Sequence, residues 1–110
     1  MSGAVQRAAF RLPVQPAQVH ADWEREGFSF GVFRDPPGQR WDDFVHQTDE
    51  YVLIAEGRLV VEVGAERFLV EPGDLIRIPR GVRHSLHTLS KEGSVWFYGY
   101  GYWADGGEHG

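Results

Sequence analysis

Turn-forming clusters interrupt this chain about every ten residues from residue 28 onward, a spacing that favours short strands over long helices. The breaks are Asp35-Pro36-Pro37-Gly38, Glu56-Gly57, Gly64-Ala65, Pro72-Gly73-Asp74 and Pro79-Arg80-Gly81. Fourteen Gly and six Pro in 110 residues reinforce them, because both residue types set backbone angles that turns require. Between the breaks lie strand-like segments. Residues 28–33 alternate Phe28, Phe30 and Val32 with Ser29, Gly31 and Phe33, and residues 51–55 (YVLIA) are apolar on both faces, as in a strand covered on both sides. The latter is expected to form a hairpin with residues 59–63 through Glu56-Gly57. A second hairpin follows through Gly64-Ala65, which places Gly at the first central position of a type II′ turn before residues 67–70. Residues 75–78, 84–88 and 94–103 read as further strands, the last with aromatic side chains on both faces and two glycines that permit bending. Residues 15–26 read as a short helix begun after Pro16 and ended at Gly27, and residues 105–110 as a frayed tail.

The expectation is therefore an all-β fold. A chain of 110 residues has room for one core, so residues 1–110 form a single domain whose body spans about 28–103, with residues 1–27 packed across it. Ten of the eleven basic residues are scattered arginines and the net charge is -5, which argues against a nucleic-acid partner. The absence of cysteine excludes disulfides, thiolate nucleophiles and Cys-ligated metal centres. No apolar run is long enough for a signal peptide or a membrane span, so no membrane association is expected and the location is read as cytoplasmic. Serine-hydrolase, zinc-protease and phosphate-loop motifs are all missing.

Two blocks of residues carry the chemical signal. In the first, Gly38, His46, Glu50 and Gly57 are spaced so that five residues separate Gly38 from Phe44, one separates Phe44 from His46, three separate His46 from Glu50, and six separate Glu50 from Gly57. In the second, Gly73, Pro79, Gly81, His84 and Thr88 follow in order with gaps of five, one, two and three. Together they resemble the two signature motifs of the cupin superfamily, G-x5-H-x-H-x3-E-x6-G and G-x5-P-x-G-x2-H-x3-N, with Phe44 in place of the first His and Thr88 in place of the Asn. The resemblance implies a cupin-type double-stranded β-helix, or jelly-roll, barrel holding one divalent metal, and a homodimer that covers the open sheet edges, with the aromatic C-terminal strand as a candidate contact. Carried over position by position, it makes His46, Glu50 and His84 the metal ligands and leaves Phe44 unable to ligate.

Two imidazoles and one carboxylate suit Fe, Mn, Ni or Zn, and on an octahedral ion they leave three positions open. Side chains two apart on a regular strand share a face, which would turn Asp42 and Phe44 towards the same lumen as His46. Asp42 then either replaces the missing ligand or acts as a general base, whereas a bulge after Gly38 would bring Asp43 inward instead. Trp41, Phe44, Arg77 and Tyr98 are the candidate substrate-binding residues. The tyrosine and tryptophan supply an apolar wall with polar tips, and Arg77 a partner for a substrate carboxylate. The functional expectation is a metal-binding cupin acting on a small, anionic organic molecule, of dioxygenase, isomerase or decarboxylase type. The alternatives are a non-catalytic module that binds or senses a small molecule, with or without metal, and a structural protein in which the motif residues are core.

Overall fold

A computed structural model describes residues 4–104. The elements run in the order β1 (Val5–Gln6), α1 (Pro16–Arg25), β2 (Gly31–Asp35), β3 (Arg40–Phe44), β4 (Asp49–Glu56), β5 (Leu59–Val63), β6 (Glu66–Val70), β7 (Leu75–Ile78), β8 (His84–Thr88) and β9 (Ser94–Gly101). They form a five-stranded sheet ordered β1-β7-β4-β9-β2 and a four-stranded sheet ordered β3-β8-β5-β6, with antiparallel pairing throughout. The expected tail at residues 105–110 lies outside the described residues.

The core between the sheets follows the period of two. Val52 and Ile54 of β4, Leu59, Val61 and Val63 of β5, Ile76 and Ile78 of β7 and Leu86 of β8 all point into it. The opposite face of the five-stranded sheet is also covered. Pro16 opens α1 at a position where its missing N–H costs nothing, and Val19 and Trp23, four residues apart, form one buried stripe. That stripe packs on Tyr51, Leu53, Leu75 and Phe97. Tyr51 and Trp23 stack with ring centroids 5.2 Å apart. The apolar run at residues 51–55 is thus explained: alternate side chains enter the barrel core and the cover under α1.

Two local expectations differ from the structure. The hairpin between β4 and β5 does not form, because β4 pairs with β7 and β9 while β5 pairs with β6 and β8. The Gly57 turn carries the chain from one sheet to the other. The second hairpin is present, with Val63 opposite Glu66 across Gly64-Ala65 and Gly64 at φ +60°. The C-terminal strand β9 is interior to its sheet, flanked by β4 and β2, so it offers no free edge for a subunit contact. Its glycines allow close approach. A Cβ on Gly99 would lie 2.3 Å from the Ser29 carbonyl oxygen and 2.7 Å from the Trp23 ring.

Gly99→Ala is expected to destabilise the chain by roughly 1–3 kcal/mol, the usual cost of forcing extra volume into a packed contact. Urea unfolding followed by circular dichroism measures this. An unchanged midpoint would mean that α1 does not lie against β9 as described.

Candidate metal centre and its cavity

His84 enters the barrel because it opens β8 directly after the Pro79-Arg80-Gly81 turn, and its alternation with Leu86 puts both side chains inward. Glu50 comes from β4 in the facing sheet, opposite Ile78 and Tyr100. His46 lies beyond the end of β3, in the connection to β4, where its carbonyl accepts a hydrogen bond of 2.9 Å from the Gly81 N–H. Gly81 sits at φ +82°, a conformation open to glycine, so the second block's turn holds the first block's histidine. Asp49, fully buried, anchors the same turn. Its carboxylate accepts 2.8 Å bonds from the Arg80 backbone N–H and guanidinium, and one of 2.7 Å from the Trp103 N–H.

His46, Glu50 and His84 converge. One ligand atom from each lies within 4.8 Å of the others. Glu50 Oε1 is 3.2 Å from His84 Nε2 and 3.6 Å from His46 Nε2. Despite these distances Glu50 Oε1 is buried and has no hydrogen-bond partner. The His84 Nδ1 lies 3.1 Å from the Val82 carbonyl oxygen, which only accepts, so Nδ1 carries a proton, and a neutral ring then presents its Nε2 lone pair to the centre. With His84 neutral, two acceptor atoms face each other across 3.2 Å in a site where Glu50 and His84 are each 3% exposed, whereas a proton on Nε2 makes the same contact an ion pair. A cation between the two atoms would offset that repulsion, and the donor set of two imidazoles and a carboxylate fits a divalent transition metal.

The strand β3 departs from regular alternation. Trp41 pairs with Leu86 and Phe44 with His84, so Asp42 and Asp43 together face the single residue Ser85. This is a bulge: Asp43 adopts φ +60° and donates its N–H to the Ser85 Oγ at 3.0 Å. The extra residue turns Trp41 and Phe44 inward together and sends Asp42 outward, where Arg40 binds it at 3.1 Å. Asp42 therefore does not reach the centre, contrary to the expectation of a shared face. His87, also outward, lies 3.2 Å from Arg40. Arg77 is likewise remote: it binds Gln6 at 3.1 Å and lies over the Tyr51 ring on the side covered by α1. The side chain behind the expected anionic substrate is thus absent from the centre. Tyr98 packs on Phe33 and Tyr100, with centroids 4.9 and 5.6 Å away, and stands behind the wall instead of lining it.

A cavity of about 130 Å³ opens above the three residues. Phe33, Trp41, Phe44, Leu86, Trp96 and Tyr100 form its wall. Phe44 is 38% exposed and marks the mouth, whereas Trp96 at 4% and Leu86 at 3% form the floor. Phe33 belongs to this wall because β2 extends to Asp35, which gives Phe33 the inward parity; Trp96 and Tyr100 share the even parity of β9. The two indoles are fixed by one atom. Asp35 Oδ2 accepts the Trp41 N–H at 2.9 Å and the Trp96 N–H at 2.8 Å. A single turn aspartate at the end of β2 carries no sequence signal for this role.

Burial, then the nearby Glu50 carboxylate and Tyr98, push the Tyr100 phenol up to about 12, so it is a neutral hydrogen-bond donor at the cavity wall.

Together the two facing sheets and the His/Glu/His centre at one end define a double-stranded β-helix barrel with a candidate metal site. Residues 31–100 match the Cupin domain family, and the chain belongs to the cupin superfamily. An uncharacterized protein of Streptomyces coelicolor is 30% identical over 91 residues, covering 76% of this chain and 87% of that protein. Among solved structures, TT1209 from Thermus thermophilus is similar at a TM-score of 0.62 and 26% identity, covering 67% of this chain and 72% of that one. The cupin domain of Schizosaccharomyces pombe Cnp3 shares the fold at a TM-score of 0.64 and 24% identity, over 67% of this chain and 55% of that one.

The wall can be tested at two of its residues. Asp35→Ala leaves two indole N–H groups without their acceptor and is expected to cost roughly 1–3 kcal/mol for each, read by urea unfolding, with Asp35→Asn milder because its amide oxygen still accepts. Tyr100 holds its proton in the folded, metal-free chain up to about 12, while the unfolded chain releases it near the ordinary tyrosine value of 10.0. Over that window the native state binds more protons, so this contribution to stability is complete below the lower value and is lost as pH rises through the upper. Tyrosinate absorbance of the folded chain should show a late component that Tyr100→Phe reduces without abolishing, because burial and the hydrogen bond to Glu26 also raise Tyr51; simultaneous ionisation of all four tyrosines would contradict the burial.

Proposed function

We propose that this chain is a metal-dependent cupin in which His46, Glu50 and His84 hold one divalent transition metal, Fe, Mn, Ni or Zn, beneath a cavity that binds a small organic molecule. The observation that carries the reading is the contact between Glu50 Oε1 and His84 Nε2, 3.2 Å apart without a hydrogen bond. When bound, such an ion supplies Lewis acidity or a site for dioxygen. The chain's own residues do the rest. The Val82 carbonyl keeps the His84 lone pair aimed at the centre, and Gly81 holds His46 in place. Phe44, which holds the motif position of the first cupin His and cannot ligate, has its ring centroid 6.1 Å from His46 and 6.3 Å from His84, and this supports a metal with that position left to a bound molecule. Tyr100 takes the place expected of Asp42 as the wall group that can orient or hold a proton on that molecule.

A second reading, a non-catalytic binding module, is favoured by one feature. Apart from the three ligands, Tyr100 is the one titratable side chain among the described residues lining the cavity. Turnover of a bound molecule, or metal-dependent dioxygen consumption, separates the two. We also propose a homodimer, with an edge such as β2, where Val32 is 42% exposed, as the place for its contact. No helix among the described residues is long and apolar enough to cross a membrane.

Elemental analysis of chain purified without chelators is expected to find close to one transition metal per chain. His84→Ala should weaken affinity by more than about a hundredfold, beyond the loss typical of an outer-shell partner. Phe44→His should tighten it by supplying a fourth donor. No metal after reconstitution would overturn the reading, and unchanged affinity in Phe44→His would mean that position 44 does not face the centre.

A further inference from the structure

Resting on the metal reading above, we infer that the ligand of this cavity is a small, largely apolar molecule that offers the metal one oxygen donor carrying at most one negative charge. Polyanionic and polyhydroxylated molecules are excluded by the same chemistry. Five of the six wall residues present carbon surface, and the sixth adds a single neutral hydroxyl, that of Tyr100. The indole N–H groups of Trp41 and Trp96 give the ligand nothing, because Asp35 already accepts both. Hydroxyl groups of a bound sugar acid would lose water and find one partner at most.

Charge leads to the same limit. With Nδ1 of His84 protonated and Nε2 ligating, that imidazole is neutral, so a divalent ion against Glu50 leaves one positive charge for the ligand to neutralise, His46 ligating likewise as a neutral ring. No arginine or lysine among the described residues lines the cavity to take a second negative charge. Three arginines are committed elsewhere: Arg80 to Asp49, Arg40 to Asp42 and Arg77 to Gln6. A second carboxylate would be buried without a partner, which is strongly disfavoured.

Size narrows the ligand further. The cavity, about 130 Å³, is close to the ~150 Å³ apolar cavity that accommodates benzene in an unrelated protein. A six-membered ring or a short carbon chain fits, and a drug-sized molecule does not. Phe44 contributes twice, removing a ligand from the metal and adding apolar wall at the mouth.

The test uses the full chain loaded with cobalt(II), with uptake measured first by elemental analysis. Phenol, butyrate, glycolate and fumarate are then titrated separately, following the cobalt visible spectrum and tryptophan fluorescence. Butyrate and glycolate carry the same charge and differ in apolar surface, and fumarate adds a second charge. Phenol and butyrate are expected to bind about tenfold or more tightly than glycolate and fumarate, as burial of two or three carbons predicts. Phe44→Arg, which places a cation at the mouth, is expected to raise affinity for fumarate. Glycolate or fumarate binding as tightly as butyrate, or no binding of any of the four at millimolar concentration, overturns the inference. Failure to take up cobalt overturns the metal reading instead, and the fluorescence titrations of the metal-free chain then decide the apolar preference alone: quenching by phenol no stronger than by fumarate overturns it.

Discussion

Glu50 Oε1 lies buried, 3.2 Å from His84 Nε2 and 3.6 Å from His46 Nε2, and accepts a hydrogen bond from neither. An unsatisfied buried carboxylate oxygen is costly unless a positive charge shares its site. Three separate parts of the fold arrange this contact. β4 supplies Glu50 from one sheet, β8 supplies His84 from the other, and the turn before β8 supports His46 through the Gly81 N–H. Asp49, next to Glu50 in the chain, reaches the other way and ties down Arg80. The two sequence blocks thus meet through backbone contacts as well as through the centre itself.

The walls above the centre have their own support. One oxygen of Asp35 fixes two indoles, and α1 seals the outer face of the sheet that carries Glu50, Trp96 and Tyr100. With both faces of that sheet buried, β9 can present aromatic side chains to the cavity while Gly99 lets Trp23 close on its other side. The result is a small and mostly apolar chamber with its polar atoms gathered at one end.

Much of this was legible in the sequence where local chemistry decides the outcome. The Gly and Pro turns located β6, β7 and β8 nearly to the residue, and Pro16 and Gly27 bounded α1. The spacing of His46, Glu50 and His84 picked out three side chains that the fold brings within ligand distance of one another. What failed depended on partners distant in the chain. Adjacency suggested that β4 and β5 pair, yet the turn at Gly57 crosses between sheets. Strict alternation put Asp42 inside, and the bulge opposite Ser85 moved it out. Arg77 was a reasonable anion partner by type, but its strand turns it towards Gln6 and Tyr51. Asp35, read only as part of a turn, and Asp49 carry no sequence signal for their roles, since their partners lie on other strands and loops.

The central claim, that the three side chains face one another around a metal, is most directly tested by anomalous diffraction from crystals grown with zinc. One peak per chain is expected, about 2.0–2.2 Å from the Nε2 atoms of His46 and His84 and from a Glu50 carboxylate oxygen. A centre without a peak, in which Glu50 is hydrogen-bonded to His84, would contradict it.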